Sequence, residues 1–311
     1  MLKKSGIIFI TLFLIYSCRG SSKSFFRPRD ISTDSALELS LTNHHRYHSL
    51  DAEWFYLYFK PFFMGSTQAS VPERKVAGML FTLYGNITQS VWVGINTAAM
   101  HVSADARRII SSKCSIGGLD DIQFKLGYDL LKNDESHAGL YLVATAPTGK
   151  RPNSRYLFEP LVGSKNGSFG LGLNTEMPVC DFQDKTCALM FDVKYRYVFS
   201  AQERHCFDIL TVTPRGTVDL WAAITLPVGN VIIELGYDFW WRQTERVCRK
   251  CSLGPRYVIP KAQSQKLYLD LGYTLAGTRW APLIGLGVSY EFATKHALRQ
   301  WGTWLTAGLS Y

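Results

Sequence analysis

The sequence has no apolar run after residue 20 that reaches the roughly 18 residues a membrane-spanning helix needs. It also has no glycine-rich phosphate loop after a strand and no nucleic-acid-binding module, so neither a nucleotide site nor a nucleic-acid partner is predicted. Cys248 and Cys251, in CRKC, have the spacing of half a zinc site, but no second half accompanies them. The net charge of +9 therefore calls for a different explanation.

The first residues have the pattern of a secretory signal. Lys3 and Lys4 precede the apolar stretch Gly6–Tyr16, and small residues follow it. We expect a signal peptide over residues 1–20, cleaved after Ser17 or after Gly20. Lipidation of Cys18 is the alternative, although the bulky Tyr16 fits a lipoprotein signal poorly. The polar residues 21–51 are predicted to form a periplasmic N-terminal segment.

From Trp54 onward, apolar and polar residues alternate with a period of two, as in strands whose faces meet different surroundings. Twelve such segments can be counted, and the last, LRQWGTWLTAGLSY, ends on Tyr311. An aromatic residue after alternating apolar positions is typical of the terminal strand of Gram-negative outer-membrane barrels. The pattern predicts an all-β fold: a closed antiparallel up-and-down transmembrane barrel of about 12 strands over residues 52–311, in the bacterial outer membrane.

The connections between these segments alternate in length, as outer-membrane barrels require of periplasmic turns and external loops. Short connections are predicted at 85–90, 131–137, 181–186, 227–230 and 276–279. Longer ones are predicted at 65–76, 99–119, 146–167, 200–216 and 243–263, and only the hairpin near 294–297 breaks the rule.

Nearly every segment keeps one face free of charge, and we expect this face to meet lipid. A soluble sandwich would show the same alternation, but aromatic residues at both ends of the uncharged faces favour the barrel. The expected girdles are Phe63, Phe199, Trp241, Phe292 and Trp301 at the outer interface, and Phe55, Tyr128, Tyr273, Trp280 and Tyr311 at the inner one. In the first segment this puts Phe55, Leu57 and Phe59 outside and Tyr56, Tyr58 and Lys60 inside.

The opposite faces carry charges of both signs and several rings, which are predicted to line the lumen. The lumen-lining candidates are Lys60, Lys125, Asp129, Asp192, Lys194, Arg196, Glu234, Asp238, Arg242, Lys266, Asp270, Glu291, Tyr268 and Trp304. Two interpretations stay open: a salt-bridge network that fills the barrel, or a polar path for a solute. The rings would grip a solute or fill space.

Without Cys18, six cysteines remain, and an even number in an exported protein suggests disulfides. The candidates are Cys114, Cys180, Cys187, Cys206, Cys248 and Cys251. Cys180 and Cys187 flank a short turn, but their parities differ, and only a bulge would correct this. The other four fall in external loops and have enough members for two bridges, whose connectivity stays open.

Three segments resemble a known family: GLDDIQFKLGYDL at Gly118–Leu130, ATAPTGK at Ala144–Lys150 and GSFGLGLN at Gly167–Asn174. They are similar to the phenol meta-pathway type of outer-membrane protein, a family of barrels associated with the uptake of aromatic compounds. Asp120 stands where the family pattern usually has glycine. The resemblance implies a transport-type barrel and does not specify a substrate.

The sequence therefore predicts a passive channel or transporter for small solutes, with aromatic or hydrophobic ones as candidates, and with no cofactor, no metal and no catalytic site. The alternatives are a filled structural or surface-interaction barrel and, third, an outer-membrane enzyme. His101, His137, His205 and His296 fall in or beside predicted loops, and no His–Ser motif lies on a lipid-facing segment.

Four kinds of partner are expected. The barrel should contact outer-membrane lipids, pass a small-molecule solute, and engage the barrel-assembly machinery through its C-terminal strand. Basic residues in 101–118, 147–167 and 243–263 would contact lipopolysaccharide phosphates, or merely make the loops basic and soluble.

Overall fold

The computed structural model describes residues 49–60, 63–64, 67–68, 73–105, 113–132, 136–149, 166–182, 185–205, 208–249, 257–259, 261–274, 281–295 and 299–310. The predicted signal peptide and almost all of the predicted periplasmic segment lie outside these residues. Within the described ranges, no helix has the length and apolar character needed to cross a membrane.

Twelve long antiparallel strands form a closed barrel. They are β1 Ser49–Lys60, β2 Glu73–Asn86, β3 Val91–Asp105, β4 Ile122–Lys132, β5 His137–Ala146, β6 Ser168–Phe182, β7 Lys185–Val198, β8 Arg215–Val228, β9 Val231–Arg242, β10 Ala262–Thr274, β11 Ala281–Lys295 and β12 Arg299–Ser310. Each strand pairs with its neighbours in the chain, and β1 also pairs with β12 along its whole length, from Ser49 opposite Ser310 to Lys60 opposite Arg299. The predicted closed, up-and-down, twelve-stranded fold is confirmed.

The two ends of the barrel differ in their connections. Tight links such as 87–90 and 229–230 lie at one end, which we call the turn end, and Gly229 adopts a φ of +59° that glycine tolerates without strain. The longer links leave or enter the barrel at 120–121, 147–149, 166–167 and 243–244, all at the other end, the loop end. Short turns face the periplasm in outer-membrane barrels, so the turn end is periplasmic.

Part of the loop end is ordered into small sheets. The β7–β8 and β9–β10 connections together form a four-stranded sheet, from Ala201–His205, Asp208–Val212, Glu245–Arg249 and Tyr257–Ile259. Phe63–Met64 and Thr67–Gln68 form a hairpin within the β1–β2 connection. These connections, which the sequence predicted only as loops, therefore carry regular backbone pairing of their own.

The wall next to β3 is interrupted. The turn-end half of β3 pairs with β4, whereas its loop-end half pairs with the additional strand Lys113–Leu119. The chain bends between them at Asp120 and Asp121, where Asp121 Oδ1 accepts a 2.7 Å hydrogen bond from the backbone N–H of Gly149. The predicted loop 99–119 is thus largely strand, because β3 continues to Asp105.

The outer surface is a belt of exposed apolar side chains. Leu171 is 61% exposed, and Leu140, Leu235, Leu286 and Leu305 are each about half exposed. A patch of this extent favours association in water, whereas lipid covers it. At its edges the exposed rings include Tyr128, Tyr195, Phe199, Tyr273, Phe292 and Trp301.

One strand faces the other way from its prediction. Phe55 and Leu57 are buried inside the barrel, although the sequence placed them on the lipid face. Tyr56 and Tyr58, predicted inward, lie outside, with ring centroids each 5.8 Å from that of the exposed Trp301. Both faces of β1 are mostly aromatic or apolar, so their apolar content did not distinguish them, and the charge of Glu53 marks the inward parity.

Candidate functional site in the barrel interior

Buried charged side chains fill the interior, and their sign changes along the barrel axis. Near the turn end the charged groups are carboxylates, which we call the turn-end layer: Glu53, Asp129, Glu234 and Asp270. A middle layer mixes both signs: Lys125, Lys194, Lys266, Asp192, Asp219, Asp238 and Glu291. The loop-end layer on the β7–β9 side consists of three arginines, Arg196, Arg215 and Arg242, while the buried carboxylates Asp120 and Asp121 lie at the loop end of β4. Burying an ion costs several kcal/mol unless it is paired, so each layer depends on its partners.

Aromatic donors hold the turn-end carboxylates. Trp304 donates its indole N–H to Asp270 Oδ2 at 2.9 Å, and Tyr268 donates its hydroxyl proton to Glu234 Oε1. Tyr268 also accepts a 2.8 Å hydrogen bond from the indole of Trp221. The carboxylates of this wall therefore belong to one network of rings.

A third carboxylate of the turn end, Asp129, pairs with a histidine. Nε2 of His137 lies 3.0 Å from Asp129 Oδ1, and both side chains are buried. The sequence placed His137 in a turn, but it is the first residue of β5 and faces inward. On the neighbouring strand β6, Asn174 lies directly across from Gly139, which is two residues from His137.

The middle layer pairs lysines with carboxylates and with a ring. Lys266 Nζ lies 3.2 Å from Asp238 Oδ2. Tyr141 donates to Asp192, with oxygen separations of 2.9 and 3.1 Å, and Lys125 Nζ lies 5.2 Å from the Tyr141 ring centroid. Cations over an aromatic face are stabilised by the ring's quadrupole.

Glu291 and Lys194 also belong to this layer. Glu291 accepts from the Ser264 hydroxyl and, at 2.7 Å, from the backbone N–H of Gln300. Lys194 is almost fully buried and lies directly opposite Asp219 in the β7–β8 register.

Four interior rings each lie over a glycine of the adjacent strand. Trp92 lies over Gly127, Tyr141 over Gly172, Tyr268 over Gly236 and Trp304 over Gly287, each pair directly opposite in register. A methyl group on any of these glycines would overlap ring atoms. The missing side chains let the rings lie along the wall instead of crossing the lumen.

One part of the interior is apolar. Phe55 and Leu57 of β1 belong to a buried cluster with Val76 and Leu80 of β2 and Met100 of β3. This patch was not predicted from the sequence. Glu53 could have indicated it, since it has the same parity as Phe55 and Leu57 and a charged residue belongs inside a membrane barrel. Arg215 was also missed, because the sequence ended the preceding loop at residue 216.

The predicted candidates are placed as follows. Of the lumen-lining set, all are buried on the interior face except Asp238, which is half-buried, and Lys60, whose side chain lies outside the described residues. Cys206 and Cys251 also lie outside them, and only backbone is described for Cys114 and Cys248.

Cys180 and Cys187 lie directly opposite each other, and the β-bulge that their parity required follows Cys187. Both thiols are free in the structure.

Comparisons with known proteins support the fold. No family model matches the chain, and no curated protein matches it. A crystal structure of an outer membrane channel from Pseudomonas putida F1 is similar at 10% identity, covering 84% of this chain and 94% of that one, with a TM-score of 0.65. At this identity the likeness shows the fold alone, that of an outer-membrane β-barrel.

Autotransporter barrels align less closely. The beta domain of a Bordetella autotransporter is 11% identical over 85% of this chain and 99% of that one, with a TM-score of 0.48. The translocator domain of NalP from Neisseria meningitidis is 8% identical over 87% and 91%, with a TM-score of 0.46.

Proposed function

We propose that this protein is a passive outer-membrane channel for small solutes. The observation that carries the proposal is an interior lined with charged and polar groups from one end to the other. A barrel that needs only to be filled would be more stable with apolar side chains inside, because buried ions carry a desolvation cost that apolar side chains avoid. The chain itself has such side chains inside at Phe55, Leu57 and Leu80.

The solute class follows from the rings and the mixed charges. Tyr141, Tyr268 and Trp304 lie flat along the wall over glycines, where they can stack on a planar solute. Both charge signs are present, so size and stacking govern overall selectivity more than ion preference does. The similar Pseudomonas putida F1 structure is itself described as an outer membrane channel. Aromatic solutes are therefore the preferred class, driven by their gradient without a cofactor or catalysis.

The loops and the last strand complete the proposal. Loops 99–119, 146–167 and 243–263, whose middle parts lie outside the described residues, narrow the loop end and contact lipopolysaccharide phosphates through their basic residues. Strand β12, fully paired with β1, is the strand that the assembly machinery recognises.

Conductance in a planar bilayer tests the channel. Discrete steps are expected for the refolded protein, and changing Lys194 and Arg196 to Glu should alter their ion selectivity. Lys75→Glu is the matched control, because Lys75 is an exposed lysine near the loop end of β2, close to Tyr58 on the outer wall. Selectivity that shifts equally in both variants would contradict a path through the interior.

A filled structural barrel is the second candidate, and burial favours it: Lys194, Lys266, Glu234 and Asp270 are each at most 1% exposed. In that case their pairs only stiffen the barrel. The two candidates separate in liposomes. If correctly folded protein passes neither ions nor aromatic solutes, even after deletion of 146–167 and 243–263, the channel is refuted and the filled barrel stands.

A further inference from the structure

Three arginines surround one threonine at the loop end of the interior. In the strand register, Thr217 of β8 lies directly between Arg196 of β7 and Arg242 of β9. Residues opposite each other in antiparallel strands project to the same face with Cβ atoms about 4.5–5.5 Å apart. Arg215 stands two residues along β8 and therefore shares that face. All four side chains are buried.

Room for the Arg196 side chain comes from a missing one. Gly170 lies opposite Arg196 on β6, and a Cβ there would stand 2.7 Å from Arg196 Cγ. On the other side, the Arg242 guanidinium carbon lies 5.8 Å from the Trp240 ring centroid. The glycine thus leaves room for the Arg196 side chain, and the Trp240 ring lies beside the Arg242 guanidinium.

The hydroxyl at the centre is the second observation. Thr217 is only 3% exposed, and its Oγ1 has no hydrogen-bond partner among the described residues. Buried hydroxyl groups are normally hydrogen-bonded, since leaving one unpaired costs free energy. An unpaired hydroxyl flanked in register by arginines is an arrangement that an oxyanion can satisfy.

The local charge is positive. The nearest carboxylate on β8 is Asp219, one step toward the turn end, and its Oδ2 lies 3.4 Å from Arg196 Nη2. The charges of Arg215 and Arg196 are close enough to repel each other. Each guanidinium carries five N–H donors, so it can keep its present partners and still donate to an anion.

We propose that Arg196, Arg215, Arg242 and Thr217 form an oxyanion-binding site for the carboxylate of a small organic solute. Guanidinium groups match a carboxylate in two parallel N–H···O bonds, and the Thr217 hydroxyl supplies a further donor. This inference rests on the proposed channel function and adds a solute class to it: aromatic or other apolar bodies that bear a carboxylate. Lys194 stands next along the path, in the middle layer.

Binding, measured separately from transport, tests the site. Isothermal titration of the refolded full chain with benzoate should show saturable binding, and benzyl alcohol, its uncharged analogue, should not compete. Arg215→Gln and Arg242→Gln should each weaken benzoate binding about tenfold, the effect of losing one charge-assisted hydrogen bond. Thr217→Val should weaken it less, Arg242→Lys should restore part of it, and Lys75→Gln should leave it unchanged.

Three results would overturn the site: no benzoate binding, equal binding by the arginine variants in folded barrels, or competition by benzyl alcohol. Inorganic phosphate is titrated in parallel, and binding of phosphate without benzoate would refute a carboxylate solute. The site and the channel fail separately. Benzoate binding without conductance would refute the channel alone, and conductance without benzoate binding would refute the site alone.

Discussion

The two ends of the barrel interior hold their charges in different ways. At the turn end, Glu234 and Asp270 accept hydrogen bonds from Tyr268 and Trp304, so neutral rings supply the donors. At the loop end, guanidiniums surround Thr217, and Arg196 reaches Asp219 only at 3.4 Å. A carboxylate held by hydrogen bonds from rings has a structural role, whereas cations beside a hydroxyl that has no hydrogen-bond partner are suited to an exchangeable ligand.

This contrast suggests a division of labour along the axis. The turn end is a rigid base in which rings, glycines and carboxylates fix one another. Under the proposed channel function, the loop end, beside the longer connections, is where a solute first meets the interior.

The largest effect is expected at a turn-end glycine. Gly287→Val would overlap the Trp304 ring, displace it from Asp270, and lower the free energy of unfolding by roughly 3 kcal/mol. Gly285→Ala, two residues away, is the matched control, because the atoms nearest to the added methyl group would stand at 3.6 Å, an ordinary contact. Urea unfolding in lipid vesicles measures both, and equal stability of the two variants would contradict a rigid base.

Removing a tyrosine hydroxyl should cost more at the turn end than in the middle layer. Tyr268→Phe loses the bonds to Trp221 and Glu234, about 2 kcal/mol, while Tyr141→Phe loses its bond to the single partner carboxylate Asp192, about 1 kcal/mol. The same unfolding experiment compares them. A larger loss for Tyr141→Phe would reverse the assignment of the structural network.

On the β7–β9 side, the arginines of the loop end are opposite in sign to the turn-end carboxylates, which predicts a rectifying channel. Cations enter readily at the carboxylates and anions at the arginines, so both accumulate in the middle when the turn side is held positive. Current at that polarity should exceed current at the reverse one in a planar bilayer. Arg196→Glu with Arg242→Glu should abolish the asymmetry and Lys75→Glu should preserve it; symmetric wild-type current would show that the layering does not act on ions.

The smallest effect concerns the cysteines at the turn end. Cys180 and Cys187 are opposite in register across β6 and β7, a geometry that a disulfide can span. We expect them to be oxidised in protein from an oxidising compartment, which stabilises the hairpin only slightly because the enclosed loop is short. Thiol counting on unreduced, denatured protein should find at least two fewer thiols than on reduced protein. In a Cys180→Ala/Cys187→Ala variant this difference should be smaller by two, and an unchanged difference would contradict the bridge.

Most of the fold was predictable because alternate residues of a membrane barrel strand face lipid and the polar interior, and so differ in polarity. On β4 and β10 the charged and apolar faces are so distinct that both parity and strand position follow from the residues alone. On β1 the two faces are equally aromatic, and the prediction was wrong for Phe55 and Leu57. Arg215 and His137 were missed because the predicted strands began one or more residues later in the chain than the strands of the structure.

The sequence alone determined twelve alternating segments, the alternation of short and long connections, and a polar interior, since each depends only on the surroundings of one strand. The tertiary structure decided which charges meet. Arg196, Thr217 and Arg242 come from three strands, and only the register of those strands sets them in one row. The same register places Trp304 over Gly287. Register is a property of paired strands in a closed barrel, so no single segment of sequence carries it.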